Sequence, residues 1–174
     1  MLTHWNKLLN TDCTVVDIGP HTVYPIFRVG YTSLMASADN TYTNKQIAKC
    51  KHIDILIRDP RDRFVSGVNE YCRQNKLDVE KNWELVEQGK LVDRHFAPQY
   101  LWLLHLYKFY KGTVTLKPFE YIGKITQQHR RANESHQRVK PIDLFVNVDL
   151  TLMNDLHKTV LLGDIIRKHK NVLS

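Results

Sequence analysis

The sequence predicts an α/β fold in a single domain, residues 1–174, with a small central parallel sheet flanked by helices. Two short segments carry this prediction, because each is an apolar, strand-like run that ends in an arginine and leads into a helix. The first run ends at Arg28, and the second, Ile53–Ile57, is followed by Arg58. Short β-branched runs are typical of buried parallel strands. A chain of 174 residues with 43% hydrophobic residues is also of the right size for one core.

The other elements follow from the spacing of apolar residues and from turn formers. Strands are expected at 14–18 and 22–27, joined in a hairpin by the turn at Gly19-Pro20. Asp59-Pro60 is a good helix start, since aspartate caps helices and proline fits their first position. Further along the chain, the pattern predicts a strand at 113–116 and helices at 32–38, 43–50, 60–75, 79–88, 97–110, 149–158 and 160–170.

The first segment, Tyr24–Leu34, has the features of a turn that holds an anion. Gly30 permits the backbone conformation and the close approach that such a turn requires. The Arg28 guanidinium can bind two phosphate or sulfonate oxygens together. Backbone N–H groups at the helix start and the hydroxyls of Thr32 and Ser33 would add further donors. An ordinary strand-to-helix turn with an exposed arginine explains this segment alone equally well.

The second segment, residues 53–66, places another arginine at the same edge of the sheet. Arg58 directly follows the strand, and open α/β sheets bind ligands at the carboxyl ends of their strands. Ser66 lies about two turns into the following helix, so its hydroxyl can lean back over that edge. Arg61 and Arg63 are expected to form a solvated basic face. Together the two segments predict a ligand with phosphates at both ends.

At this point the motifs resemble those of sulfotransferases that use 3′-phosphoadenosine 5′-phosphosulfate (PAPS). Phe27-Arg28-Val29-Gly30-Tyr31-Thr32-Ser33-Leu34 looks like the family's 5′-phosphosulfate loop. Arg58-Asp59-Pro60-x-x-Arg63-Phe64-x-Ser66 looks like its 3′-phosphate motif, with the arginine and serine at the family's spacing. Asp93-Arg94-His95-Phe96-Ala97-Pro98-Gln99 is similar to the D-x-H-x-x-P-Q stretch of carbohydrate-type and bacterial members. The stretch 129–135 is similar to the late basic loop that closes over the nucleotide.

The resemblance implies a three-layer, P-loop-like fold and a sulfotransferase activity. The enzyme would move a sulfuryl group from PAPS to a hydroxyl or amine of a carbohydrate or small metabolite, without a metal ion. The residues that would bind the nucleotide are Arg28, Val29, Gly30, Tyr31, Thr32, Ser33, Arg58, Ser66, Arg130, Arg131 and Asn133.

Two catalytic roles follow from the resemblance. Arg28 would stabilise the charge that develops on the leaving oxygen. His95 is the leading candidate for the base, since an ordinary imidazole can take a proton at neutral pH. A histidine beside Asp93 can also be no more than a hydrogen-bonded cap. The alternative bases are His52, Glu120, Asp39 and His105, of which His105 is expected to be a core residue.

Two other functions compete with transfer. The family has lysine where Arg28 stands and a small hydroxyl residue where Tyr31 stands, and its acceptor region is longer than the stretch from Leu34 to His52. These departures favour a non-catalytic descendant that keeps the nucleotide site. The net charge of +7 and the isoelectric point near 9.3 also fit a nucleic-acid-binding protein. The spacing of Arg58 and Ser66 argues against it, since general affinity for nucleic acid does not require that geometry.

The sequence also bears on compartment. The N-terminus lacks the apolar core of a signal peptide, and no apolar run approaches membrane-spanning length. The three cysteines, Cys13, Cys50 and Cys72, are spaced like neither a zinc site nor a disulfide framework. We therefore expect free thiols in a cytoplasmic protein with no membrane partner.

Overall fold

A computed structural model describes residues 9–91, 93–126 and 143–170. Within these residues the fold is α/β, with a mixed sheet of six strands flanked by helices. The strands are β1 (Val15–Ile18), β2 (His21–Val23), β3 (Asn40–Tyr42), β4 (His52–Ile57), β5 (Thr113–Pro118) and β6 (Thr159–Leu161). The helices are α1 (Tyr31–Ala36), α2 (Asn44–Ile47), α3 (Pro60–Gln74), α4 (Val79–Glu87), α5 (Gln99–Tyr107), α6 (Ile122–Thr126), α7 (Asp143–Leu150) and α8 (Leu162–His169).

The sheet has the strand order β3-β1-β2-β4-β5-β6. Strand β4 runs parallel to β2 and to β5, whereas β1–β2, β1–β3 and β5–β6 are antiparallel pairs. The sheet is therefore larger than the small parallel sheet that we predict, and it is mixed rather than wholly parallel. The parallel part is the centre of the sheet, and antiparallel strands extend it on both sides.

The predicted hairpin is confirmed, although its second strand is shorter than expected. Val16 pairs with Val23 and Asp17 with Thr22 across the antiparallel strands β1 and β2. Strand β2 ends at Val23 because the chain then turns, and the Val29 N–H donates to the Ile26 carbonyl at 3.0 Å. Arg28 lies within this turn, at the carboxyl edge of the central strands.

The C-terminal third departs most from the prediction. A helix is predicted over 149–158, but α7 ends at Leu150 and a 3₁₀ turn runs from Thr151 to Asp155. The buried Asp155 carboxylate accepts hydrogen bonds from Lys168 and His169, which hold this turn against α8, and from the nearby Lys158. The bonds to Lys168 and His169 join residues 13 and 14 positions apart and leave no trace in the helical spacing of the sequence.

The hydrophobic core surrounds β4. Ile53, Ile55, Leu56 and Ile57 are each at most 1% exposed, so both faces of this strand are covered. His105 on α5 is also buried, as predicted: its Nδ1 contacts the Tyr24 hydroxyl and its Nε2 contacts the Thr11 carbonyl, both at 2.9 Å. None of the helices in the described ranges is long and apolar enough to cross a membrane.

Candidate functional site

The segments that carry Arg28 and Arg58 follow β2 and β4, and we call them the first and second arginine turns. They lie against each other at the carboxyl ends of these strands. Arg28 donates from Nε and Nη2 to Ser66 Oγ, at 3.0 and 2.6 Å. Arg58 donates from Nη1 to the Arg28 carbonyl oxygen at 3.2 Å. Two guanidinium groups and the hydroxyl of the buried Ser66 therefore come together at this edge, although they come from positions up to 38 residues apart in the chain. Such a group of donors suits the recognition of a phosphate.

The first turn has an unusual backbone. Arg28 has a φ of 63° and Gly30 a φ of 74°, which is the left-handed region for both residues. A non-glycine residue in this region carries strain, and such strain is concentrated at binding sites. Gly30 also lies so close to Ile122 and Phe119 that an added Cβ would collide with the Ile122 side chain. Val29 is buried and its N–H is bonded within the turn.

We expect Gly30→Ala to lower the free energy of unfolding by about 2–4 kcal/mol, the sum of left-handed strain and overpacking against Ile122. The measurement is urea unfolding followed by circular dichroism. Gly19→Ala is the matched control, because Gly19 also has a positive φ of 55° but no atom within 4 Å of its added Cβ. Equal losses in both variants would show that the contact with Ile122 is unimportant.

The backbone of Arg58 is held in place by the side chain of Gln99. Its N–H donates to Gln99 Oε1 and its carbonyl accepts from Gln99 Nε2, both at 2.9 Å. The Phe119 ring lies 5.4 Å from the Arg58 guanidinium carbon, within cation–π range. Burial lowers the pKa of Arg58, the charge of Asp62 opposes this, and the charge of Arg28 adds to it. The guanidinium is thus a charge that has lost part of its water and would gain from an anionic partner.

The amide that holds Arg58 is itself held from the C-terminal third of the chain. The Asp149 carboxylate accepts the backbone N–H groups of Gln99 at 2.6 Å and of Tyr100 at 2.9 Å, and so caps α5. It also accepts from the Gln99 side chain at 3.3 Å. The sequence prediction assigned no role to Gln99 or Asp149. The only available signal was the position of Gln99 at the end of the D-x-H-x-x-P-Q stretch.

Arg63 corrects the prediction of a solvated basic face on α3. Its side chain is fully buried, at 1% exposure, and not solvated. Nε donates to the Phe27 carbonyl at 3.0 Å and Nη1 donates to the Ala97 carbonyl, while Nη2 has no partner within the described part of the chain. Burial lowers the pKa of Arg63 to about 10, against the opposing charge of Asp149. Arg63 thus ties the first turn to the segment that carries His95.

A carboxylate borders the site on α3. Glu70 Oε2 lies 3.9 Å from Arg28 Nη1, and Glu70 also accepts two hydrogen bonds from Arg73. These bonds from Arg73, together with the Gln74 amide and the Arg28 charge, lower the pKa of Glu70 to about 2 although partial burial opposes the shift. Glu70 is therefore ionised at neutral pH and competes for Arg28 with any bound anion.

His95 lies beside the first turn, and Asp93 determines which of its ring nitrogens carries the proton. Its Nδ1 is hydrogen-bonded to the Asp93 carboxylate, which also accepts the His95 backbone N–H at 2.8 Å. Burial opposes ionisation of Asp93, but these hydrogen bonds and the charge of Arg94 outweigh it, so the pKa of Asp93 is lowered. Because a carboxylate can only accept, a neutral His95 carries its proton on Nδ1 and leaves the Nε2 lone pair free to take another.

Aromatic packing connects His95 to Arg28. The Phe27 ring, one residue before Arg28, lies 5.3 Å from the His95 ring and 4.4 Å from the Tyr31 ring. Trp102 of α5 stacks on Phe27 at 5.3 Å, and the Arg94 guanidinium carbon is 4.6 Å from the same ring. On α3, an added Cβ at Gly67 would collide with the His95 carbonyl, so glycine permits this close approach.

The other predicted site residues are scattered. Ser33 is half-buried and Thr32 is exposed on α1. Of the alternative bases, His52 lies at the opposite, amino end of β4, and Asp39 accepts the Gly19 N–H at 2.7 Å in the hairpin turn. Glu120 is exposed after β5, and its charge acts on Arg58. Arg130, Arg131 and Asn133 lie outside the described residues.

Comparisons of the chain with family models, with curated proteins and with solved structures find no match. Within residues 9–91, 93–126 and 143–170, no group of three or more His, Cys, Asp or Glu side chains could hold a metal ion.

Proposed function

We propose that this protein is a PAPS-dependent sulfotransferase with a three-layer, P-loop-like fold. It transfers the sulfuryl group of PAPS to a hydroxyl or amine of a carbohydrate or small metabolite. The observation that carries the proposal is the meeting of Arg28, Arg58 and Ser66 at one edge of the sheet. A ligand with phosphates at both ends requires two such donor groups side by side.

In this proposal each turn binds one end of the nucleotide. Arg58 and Ser66 bind the 3′-phosphate, and Arg28 binds the phosphosulfate with the turn at Gly30. Arg28 now donates both Nε and Nη2 to a neutral hydroxyl, Ser66 Oγ. An ionised phosphate oxygen is a stronger acceptor than a hydroxyl, so ligand binding would draw Arg28 away from Ser66. The Arg58 bond to the Arg28 carbonyl keeps the two turns together during this exchange.

The chemical step uses His95 as the base. The acceptor oxygen attacks sulfur and forms a new S–O bond, while the S–O bond to the 5′-phosphate breaks. His95 Nε2 takes the acceptor proton, and Asp93 stabilises the resulting imidazolium through Nδ1. Arg28 stabilises the negative charge on the departing phosphate oxygen. The products are the sulfated acceptor and 3′-phosphoadenosine 5′-phosphate.

The test is calorimetric titration with 3′-phosphoadenosine 5′-phosphate, with AMP as the control that lacks the 3′-phosphate. The proposal predicts tight binding that depends on the 3′-phosphate. If neither nucleotide binds, the nucleotide site does not exist. Transfer itself is measured as the appearance of 3′-phosphoadenosine 5′-phosphate from PAPS when candidate carbohydrate and amine acceptors are added.

A second candidate is a nucleotide-binding protein without transferase activity. The observation that favours it is the engagement of Arg28 with Ser66 and Glu70, because a planar guanidinium is less easily redirected towards sulfur than a lysine ammonium. It predicts nucleotide binding with no turnover of PAPS. A basic nucleic-acid-binding protein, the third possibility, would bind any DNA or RNA in a strongly salt-dependent way, with no preference for a 3′-phosphate.

We expect His95→Ala to lower turnover by roughly 10²–10⁴-fold, the usual contribution of a positioned base. Affinity for 3′-phosphoadenosine 5′-phosphate should change little, because the hydrogen bonds that position Arg28 and Arg58 do not involve the imidazole. Asp93→Asn should also lower turnover, since an amide oxygen stabilises the imidazolium less well than a carboxylate. Full activity of His95→Ala would remove His95 as the base.

We expect Glu70→Gln to raise nucleotide affinity by roughly two- to fivefold, because it removes a partly exposed charge that competes for Arg28. The measurement is the same titration with 3′-phosphoadenosine 5′-phosphate at low salt. Glu84→Gln on α4 is the matched control, since Glu84 is exposed and makes no ion pair with any residue in the described ranges. Weaker binding by Glu70→Gln would mean that Glu70 supports Arg28 rather than competing for it.

A further inference from the structure

A separate cleft lies at the opposite edge of the sheet, near the amino ends of β2 and β4. Its volume is about 540 Å³, and its walls include His21, Tyr42, Lys49, Lys51, His52 and Asp54. We refer to it as the amino-edge cleft. Neither arginine turn contributes to its walls, since Arg28 and Arg58 follow the carboxyl ends of the same strands. A cavity of this volume is large enough for a small organic ligand.

Among the described residues that line the cleft, Asp54 is the one carboxylate, and it is already engaged by other side chains. Asp54 is 6% exposed, and its Oδ2 accepts from Lys117 Nζ at 3.1 Å and contacts His21 Nδ1 at 3.4 Å. Its other oxygen contacts His52 Nε2 at 3.3 Å. A buried carboxylate with a lysine and two imidazoles around it does not present negative charge to the cleft.

The other charged side chains that line the cleft are Lys49 and Lys51, while the Asp17 carboxylate lies behind the wall, where it accepts hydrogen bonds from Thr22 and Tyr42. Lys49 and Lys51 are exposed, and their ammonium groups form no ion pair with any residue in the described ranges. They flank Cys50, so both leave the same short stretch of chain between α2 and β4. Two cations without an ion-pair partner at a concave surface attract an anion. The Tyr42 ring and Pro20 give the same cleft apolar surface.

We propose that the amino-edge cleft is a second binding site, for a small phosphate-bearing molecule such as a sugar phosphate. Lys49 and Lys51 bind the phosphate, and the body of the molecule packs against Tyr42 and Pro20. A free inorganic anion would use the two lysines but would leave the rest of the 540 Å³ unfilled. This site goes beyond the proposed transferase function and does not depend on it, because the two sites share no residue.

The experiment is calorimetric titration with ribose 5-phosphate, with inorganic phosphate and ribose as the reference ligands. It is done on the natural protein and on Arg28→Ala/Arg58→Ala, which removes both arginines of the other edge. We expect ribose 5-phosphate to bind both proteins equally, more tightly than inorganic phosphate, and ribose not to bind. The double variant Lys49→Gln/Lys51→Gln should raise the dissociation constant at least tenfold. Lys81→Gln/Lys90→Gln, which removes two exposed lysines elsewhere, should change nothing.

Three results would overturn the proposal. The first is no binding of ribose 5-phosphate to either protein. The second is loss of binding in Arg28→Ala/Arg58→Ala, which would place the phosphate in the arginine turns. The third is binding that Lys49→Gln/Lys51→Gln leaves intact, since the cleft lysines would then not be in contact with the phosphate. Circular dichroism of each variant shows that it has folded, which is expected because both lysines are exposed.

Discussion

Replacing Arg63 by methionine is expected to lower the free energy of unfolding by about 2–5 kcal/mol. Methionine approximates the volume of the arginine stem but cannot donate a hydrogen bond. The Phe27 carbonyl and the buried Ala97 carbonyl would each lose a donor, and the buried Asp149 carboxylate would lose a nearby positive charge. The change is measured by urea unfolding of the whole chain.

Arg61→Met is the matched control for this substitution, because Arg61 is on the same helix but is exposed. Its unfolding midpoint should not change. If Arg63→Met unfolds at the natural midpoint, burial of Arg63 costs as much as its hydrogen bonds return. Nucleotide affinity should fall along with stability in Arg63→Met, because Arg63 connects the first turn to the His95 segment.

Arg58→Ala is expected to lower the affinity for 3′-phosphoadenosine 5′-phosphate by roughly 30- to 1,000-fold. This loss is about 2–4 kcal/mol, which lies within what one or two charge-assisted hydrogen bonds of about 1.5–3 kcal/mol each supply. Affinity for AMP should change little, since AMP lacks the phosphate that Arg58 binds in our proposal. The measurement is parallel titration of the two nucleotides.

Two further variants sharpen this test. Arg58→Lys keeps the charge but not the planar fork, so its affinity should lie between those of the natural protein and Arg58→Ala. Arg61→Ala should bind like the natural protein, because Arg61 points to solvent. Equal losses for AMP and 3′-phosphoadenosine 5′-phosphate in Arg58→Ala would contradict the assignment of Arg58 to the 3′-phosphate.

Local sequence signals were sufficient for the central elements. The Gly19-Pro20 turn and its flanking apolar residues predicted the β1–β2 hairpin, and the run at Ile53–Ile57 predicted β4 to within one residue. The start of α3 was predicted at the correct residue, because Asp59 caps it through the N–H groups of Arg61 and Asp62. These features depend on neighbours in the sequence, which is why a single sequence reveals them.

The edge strands had no comparable signal. β3 (Asn40–Tyr42) and β6 (Thr159–Leu161) are three residues each and largely exposed, so neither shows an apolar run or a clear alternation. They exist because β1 and β5 offer unpaired edges, which is a property of the assembled sheet. Strand β6 therefore replaced the first residues of a predicted helix, and α8 begins only at Leu162.

In the candidate site, too, the features set by local geometry were predictable from the sequence, and those set by distant contacts were not. The position of Ser66 two turns into α3 predicts that its hydroxyl leans back over the arginine edge, and there it accepts hydrogen bonds from Arg28. The burial of Arg63 depends on a contact with Ala97, 34 residues away, and the hydrogen bonds to the Arg58 backbone come from Gln99, 41 residues away. Charged residues at a helix start are usually solvated, so propensity alone gives the wrong environment for Arg63.

The capping of α5 by Asp149 has a consequence for how the protein is made. The chain is synthesised from its N-terminus, and Asp149 is added 50 residues after Gln99. At the usual rate of about 5–20 residues per second, this delay is roughly 3–10 s. Until then Gln99 lacks its carboxylate partner, so the side chain that is hydrogen-bonded to the Arg58 backbone is not itself held in place. A ribosome-bound chain that stops before Asp149 should therefore bind nucleotide poorly, even though both arginine turns are already present.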